Sequence, residues 1–246
     1  MKMKITKVED LNNIPEGITK LDISYLELTT LPKLPQSLTK LDCYCNKLTS
    51  LDNLPQGLTI LYCFNNQLTS LDNLPQGLTV LDCSHNQLTS LDNLPQSLTN
   101  LYCSSNNLKS LDNLAMGPEG PDAVKKDARV FCSLPQSLTV LVCGCNQLTS
   151  LDGLPNDLTT LECWSNKLTS LDNLPQSLTR LHCYNNQLTS LDIANCDKLE
   201  VLNCYNNNFP KEMKTILYNY NLRIKEKIHK LIEGCLIPYN NSFVLK

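Results

Sequence analysis

The chain has no long apolar run, no excess of charge of one sign and only three histidines, and each shortage closes off a class of function. No segment approaches the roughly 20 apolar residues of a membrane-spanning helix, so no membrane partner is expected. The first ten residues alternate lysine with single apolar residues and lack the apolar stretch of a secretory signal; a cytoplasmic location is expected. Lys and Arg total 21 against 24 for Asp and Glu, a net charge of -3, with no basic run of the kind that tracks phosphates, which argues against nucleic acid. Of His85, His182 and His229, the first two are expected on outward strand places several units apart, too far to form one acid–base dyad. Motifs GxSxG and HExxH are missing, as is any glycine loop that would cradle phosphate. No enzyme activity and no cofactor are expected.

What is present is a period. Residues 34–53 read LPQSLTKLDCYCNKLTSLDN, residues 54–73 read LPQGLTILYCFNNQLTSLDN, and the unit returns at Leu74, Leu94, Leu134, Leu154 and Leu174, with a looser copy from Ile14. A fixed twenty-residue period specifies a stacked solenoid, whose core grows one coil at a time. Within a unit, Leu41 and Cys43 alternate with Lys40, Asp42 and Tyr44, the period of a short strand from 40 to 44. Each coil should thus add one strand to a parallel sheet. Asn46 and its equivalents 66, 86, 106, 146, 166 and 186 fall where the chain leaves the strand, where a buried amide can satisfy backbone groups of its own and the next coil. The remaining TSLDNLPQS is too rich in Pro, Asn and Asp for a helix, so extended backbone is expected on the convex side. Asn53, Asn73, Asn93, Asn113 and Asn173 share their place with Gly153, which points to a tight turn with positive φ.

Thirteen cysteines would suggest disulfides in a secreted chain, but their placement argues otherwise. Cys43, Cys63, Cys83, Cys103, Cys143, Cys163 and Cys183 hold the tenth place of their units, and Cys204 does so in the last irregular one. Side chains that point the same way from strands roughly 4.8 Å apart are too distant to bridge, so they read as reduced core residues. The pairs Cys43 with Cys45 and Cys143 with Cys145 have a chelating look, yet one member of each points inward, and no metal site is expected. The row Asp52, Asp72, Asp92, Asp112, Asp152, Asp172 and Asp192 either caps turns or is bridged by calcium.

The unit resembles the leucine-rich repeat, whose pattern LxxLxLxxNxL stands here as LTKLDCYCNKL with cysteine for the third leucine. That resemblance implies a mostly β, α/β-type horseshoe with its parallel sheet on the concave face. The short LPxxL unit is similar to that of bacterial effectors injected into host cells and of repeat proteins of amoebal giant viruses. Residues 191–207, LDIANCDKLEVLNCYNN, look like a longer bacterial variant of the repeat. Some effectors with this repeat carry a ubiquitin-ligase domain with a CxD motif; Cys196 and Asp197 are adjacent, and no room for that domain is expected in this sequence.

The expected organisation is an N-terminal cap at 1–13, repeats at 14–113, an irregular insertion at 114–133, repeats at 134–209, and a partly helical C-terminal cap at 210–246. In the insertion, LAMGPEGPDAVKKDARVFCS, Pro118 and Pro121 replace core leucines and Lys126 replaces the ladder asparagine, so a normal coil is excluded. Either it loops out, flexible over 117–120 and helical over 121–131, or one coil is malformed. It is a binding element or a tolerated, decayed repeat. In the cap, Met213, Ile216, Leu217, Ile224, Ile228, Leu231 and Ile232 fall at helical spacing up to Gly234, with a bend expected near 219–221.

Function is sought where the units differ. After the cysteine come Tyr44, Phe64, Ser84, Ser104, Gly144, Trp164, Tyr184 and Tyr205; before it come Asp42, Tyr62, Asp82, Tyr102, Val142, Glu162, His182 and Asn203. Exposed aromatics on a concave sheet either anchor a partner protein or pair across rungs to stabilise the sheet. The expected site is Tyr44, Tyr62, Phe64, Tyr102, Trp164, His182, Tyr184 and Tyr205, with Tyr62, Phe64 and Tyr102 as one cluster and Trp164, Tyr184 and Tyr205 as another. A monomeric protein-binding scaffold is one reading. A structural repeat without a ligand, and the recognition part of a ligase-type effector, are the alternatives.

Overall fold

A computed structural model describes residues 1–111 and 134–234, with side chains through 224. Among the described residues, ten three-residue strands form one parallel sheet in sequence order. They are β1 (Lys2–Lys4), β2 (Lys20–Asp22), β3 (Lys40–Asp42), β4 (Ile60–Tyr62), β5 (Val80–Asp82), β6 (Asn100–Tyr102), β7 (Val140–Val142), β8 (Thr160–Glu162), β9 (Arg180–His182) and β10 (Val201–Asn203). Helix α1 (Lys211–Gly234) follows β10. The register holds the period: Leu41 pairs with Leu61, and Leu61 with Leu81. Across the irregular insertion Leu101 pairs directly with Leu141, so the flanking coils stack and nothing is interposed in the sheet. The expectations for 114–133 themselves lie outside the described residues, as do Asp112 and Asn113.

Each coil turns its leucines and cysteine inward. Leu58, Leu61, Cys63 and Leu68 are fully buried, and Leu71 and Leu74 nearly so. Every ladder cysteine is a free thiol. Burial pushes their pKa values up, Cys143 to about 12 and Cys204 to about 11, which keeps them protonated.

The asparagine ladder runs in the opposite direction to that expected: each amide serves the preceding coil. Asn46 accepts the N–H groups of Leu26 and Leu28, both at 3.0 Å, and donates to the carbonyls of Ile23 at 2.9 Å and Cys43 at 3.0 Å. A second ladder, of threonines, escaped the sequence reading. Thr59 Oγ1 donates to the Thr39 carbonyl at 3.0 Å, Thr79 to Thr59 at 3.0 Å and Thr99 to Thr79 at 3.1 Å. The repetition of threonine at the sixth place was its signal.

The strands are shorter than the expected span of 40 to 44, but the parallel hydrogen bonds continue beyond them. Cys63 N–H donates to Asp82 at 2.8 Å and Asn65 N–H to Ser84 at 2.9 Å. The chain then turns at a left-handed residue, Cys45, Asn65, His85, Ser105, Cys145, Ser165, Asn185 or Asn206. His85 therefore sits on this turn and not on an outward strand place. The anticipated second left-handed position is found at Asn53, Asn73, Asn93, Asn173 and Gly153. Between these positions the convex side has no helix among the described residues; turns such as the one closed by Leu58 N–H on Pro55 at 3.1 Å alternate with extended residues.

Both ends are covered. At the first, β1 pairs with β2, Ile5 is buried, and a 3-10 helix (Val8–Asn13) follows. At the other, α1 runs unbroken through 219–221 and buries Leu217 and Ile224, with Met213 and Tyr220 packed alongside. Ile216, expected on that stripe, is 61% exposed because a helix turn carries it away from its neighbour Leu217.

Candidate functional site

The sheet places three outward columns on its concave face, at the first and last residues of each strand and at the residue two places beyond it, while the middle strand residue points into the core. The last of these columns carries the rings. At the N-terminal end, Tyr25 meets Tyr44 edge-on at 5.4 Å, and Tyr44 stacks on Phe64 at 4.4 Å with 6° between planes. The expected cluster of Tyr62, Phe64 and Tyr102 is not formed. Tyr62 and Tyr102 belong to the neighbouring column, where Asp82 stands between them in register. Tyr62 instead receives the Lys40 ammonium 4.6 Å from its ring centroid, while Lys40 also pairs with Asp42 at 3.2 Å. Tyr25 was missed because the first coil sets its tyrosine one place later, on the left-handed turn.

At the C-terminal end the three expected residues do come together. Trp164 stacks on Tyr184 at 5.7 Å and 4°, and Tyr184 on Tyr205 at 4.7 Å and 12°. His182 lies beside them, its ring 6.4 Å from Tyr184 and its Nδ1 3.9 Å from Glu162 Oε1. Burial against the neighbouring rings raises the Tyr184 pKa, so its hydroxyl remains a donor. Ser84, Ser104 and Gly144, the small residues at the same place of the intervening units, separate the two ring stacks of this column.

Charge differs along the face. Burial alone would raise the Asp22 pKa, but the Ser24 hydroxyl and amide and the Lys4 ammonium at 3.1 Å outweigh it, leaving this carboxyl below its usual range. Asp82 accepts from the Ser84 amide at 3.0 Å, and burial raises its pKa by more than Ser84 and the nearby His85 lower it.

The turn aspartates act as capping groups: Ser50 Oγ donates to Asp52 at 2.6 Å, Ser70 to Asp72 and Ser90 to Asp92 at 2.7 Å. Among the described residues no three His, Cys, Asp or Glu side chains converge as a metal ion would need. Cys43 is buried, whereas the Cys45 sulfur accepts from Asn65 Nδ2 at 3.1 Å, so the two thiols do not share one ligand position. His85 and His182 belong to β5 and β9 coils, roughly 19 Å apart at 4.8 Å per rung, and cannot share a reacting centre. Among the described residues no helix is long and apolar enough to cross a membrane.

A one-strand coil locked by cysteine, asparagine and threonine ladders defines a repeat solenoid whose distinctive surface is its sheet. The family described as Leucine Rich repeats (2 copies) matches at residues 36–76, 56–96 and 176–219. Among solved structures, YopM from Yersinia enterocolitica is 32% identical over 80% of this chain and 44% of its own, with a TM-score of 0.62. YopM of Yersinia pestis, a leucine-rich effector protein, is 33% identical over 82% and 52%, with a TM-score of 0.65. The functional domain of InlJ from Listeria monocytogenes, which includes a cysteine ladder, is 35% identical over 79% and 41%, also at 0.65. The chain is a leucine-rich-repeat protein, and it spans about half or less of these three solved chains, 44%, 52% and 41%. No curated protein matches it by sequence.

Proposed function

We propose that the chain is a non-catalytic scaffold that binds a protein partner along its concave sheet. The observation that carries this reading is the column Trp164, Tyr184 and Tyr205, whose rings stack over three successive rungs on a face the core does not need. Tyr205 is 54% exposed, so the column offers aromatic surface to a partner rather than to the fold. Tyr44, Tyr62, Phe64 and Tyr102 supply a second contact region at the other end, and His182 a polar contact beside the main column. The likeness to bacterial effectors supports a role in host interaction, with the host cytoplasm as the place of action.

Affinity capture from a host lysate tests the reading, comparing the intact chain with a Trp164→Ala, Tyr184→Ala double variant. A protein recovered by the first and lost by the second is the expected result. Identical recoveries from both, with both folded, would leave the aromatic column as a device of sheet stability.

A further inference from the structure

Two places on the concave face repeat one arrangement, and only the first of them is complete. On β3 and β4, the Lys40 ammonium lies 3.2 Å from the Asp42 carboxylate and 4.6 Å from the Tyr62 ring centroid. Asp42 and Tyr62 are neighbours in register. Two units further on, β5 and β6 set Asp82 beside Tyr102 in the same register. The place of Lys40 is taken there by Val80. This second set therefore has the carboxylate and the ring but lacks the cation.

The other carboxylates of the column each have a basic group. Asp22 has the Lys4 ammonium at 3.1 Å, and Glu162 has the His182 ring at 3.9 Å. Among the described residues no basic side chain forms an ion pair with Asp82; His85, on the turn beyond, favours its charged form without reaching it. Nor does any cation or second ring lie on Tyr102 among the described residues. Val80, Asp82 and Tyr102 are each partly exposed, so the set can be reached from solvent. A half-buried carboxylate without a cation costs stability, and burial accordingly raises the Asp82 pKa. An arriving cation offsets that cost.

We propose that Asp82 and Tyr102 receive a lysine side chain of the partner protein, which takes the place that Lys40 holds in the complete set. Its ammonium pairs with the Asp82 carboxylate and lies over the Tyr102 ring, and its methylene stem runs along Val80. Lysine is the occupant because the chain builds the complete set with a lysine, whose compact charge serves a carboxylate and a ring together. The proposal rests on the concave-face reading and deepens it: the partner presents a basic side chain to the middle of the sheet. There Ser84 and Ser104 stand between the ring stacks that end at Phe64 and Trp164.

Titration of the full chain with n-butylammonium, the lysine side chain without its backbone, tests the site, with n-butanol as the neutral comparison. The Ser84 amide donates to Asp82 and reports on it by NMR. Its resonance should shift saturably with n-butylammonium and not with n-butanol. Affinity should fall about 10-fold in Asp82→Asn, and equally in Val80→Lys, which brings its own ammonium to the place. Asp72→Asn, which removes an exposed carboxylate on a convex turn, should leave the affinity unchanged. No saturable shift, or equal affinity in the parent and in Asp82→Asn, overturns the cation site. The loss of a captured partner in the Trp164→Ala, Tyr184→Ala variant would then still support the concave-face reading. Saturable binding with no partner captured, or with a partner recovered equally by the parent and by Val80→Lys, would overturn a partner's lysine as the occupant.

Discussion

The indole of Trp164 occupies the space where a side chain on Gly144 would begin: a Cβ at residue 144 would lie 2.4 Å from Trp164 Cε2 and 2.6 Å from Cδ2. Gly144 is not left-handed, so the glycine serves the approach of the ring rather than the path of the backbone. Gly144→Ala should therefore displace Trp164 from Tyr184 while leaving the coil intact. The chain contains one tryptophan, so its emission reports this site alone. A red shift with a loss of about 0.5–1.5 kcal/mol, the worth of a ring pair, is expected. Unchanged emission and melting would show that the ring does not depend on Gly144.

Removing one ladder amide in mid-solenoid should cost more than removing the last. Asn66→Ala leaves the Leu48 N–H and the Cys43 and Cys63 carbonyls without this partner, all in a buried setting. The Cys43 carbonyl still accepts from Asn46 and the Cys63 carbonyl from Asn86, so only the Leu48 N–H is left unsatisfied. At about 1–3 kcal/mol for that group and about 0.5–1.5 kcal/mol for each of the two other bonds lost, a loss of roughly 2–6 kcal/mol is expected in denaturant unfolding. Asn207 makes the same bonds but is partly exposed, so water replaces part of what Asn207→Ala removes. Equal losses at the two positions would contradict the burial argument.

Leu41, Cys43 and Asn46 show why the fold was legible in the sequence: each recurs at a place where only one environment is available. The direction in which Asn46 bonds was not legible, because a side chain at the junction of two coils has partners above and below. Trp164, Tyr184 and Tyr205 could be placed together because they share one column at successive units. Tyr62 and Phe64 were grouped because both read as outward, although their places before and after Cys63 already put them in different columns; which rings touch depends on neighbours one unit away in the same column. Ile216 was misplaced for a related reason: in a run of apolar residues, helical spacing admits Ile216 and Leu217 alike, and the docking angle of α1 chooses between them.

Asp82 should make folding weaker at neutral pH than an uncharged side chain would. Burial holds its folded pKa above the 3.8 of the free group, so the native state binds the proton more tightly than the unfolded state. Its contribution is then unfavourable above the folded pKa and disappears as pH falls through that value towards 3.8. Asp82→Asn keeps an acceptor for the Ser84 amide and removes the charge. Thermal unfolding should show the variant more stable at neutral pH, with the advantage shrinking in acid. A variant no more stable than the parent at neutral pH would refute the assignment.

The cysteine ladder should resist thiol reagents in the folded protein even in alkali. Attack requires the thiolate, and burial raises the pKa of Cys143 to about 12 and those of Cys63, Cys103 and Cys163 well above the ordinary value. The same thiols are fully buried, so access and ionisation are blocked together. Cys145 is exposed and Cys45 partly so. Labelling followed by peptide mass mapping should therefore find Cys145 and Cys45 modified first among the described cysteines, with the ladder modified only on addition of denaturant. Because both barriers fall when a coil opens, the ladder should label at a rate set by unfolding and independent of reagent concentration once the reagent is in excess. Modification of Cys83 in the folded chain at a rate that rises with pH before unfolding would show that the ladder is accessible, and would remove its role as a sealed core.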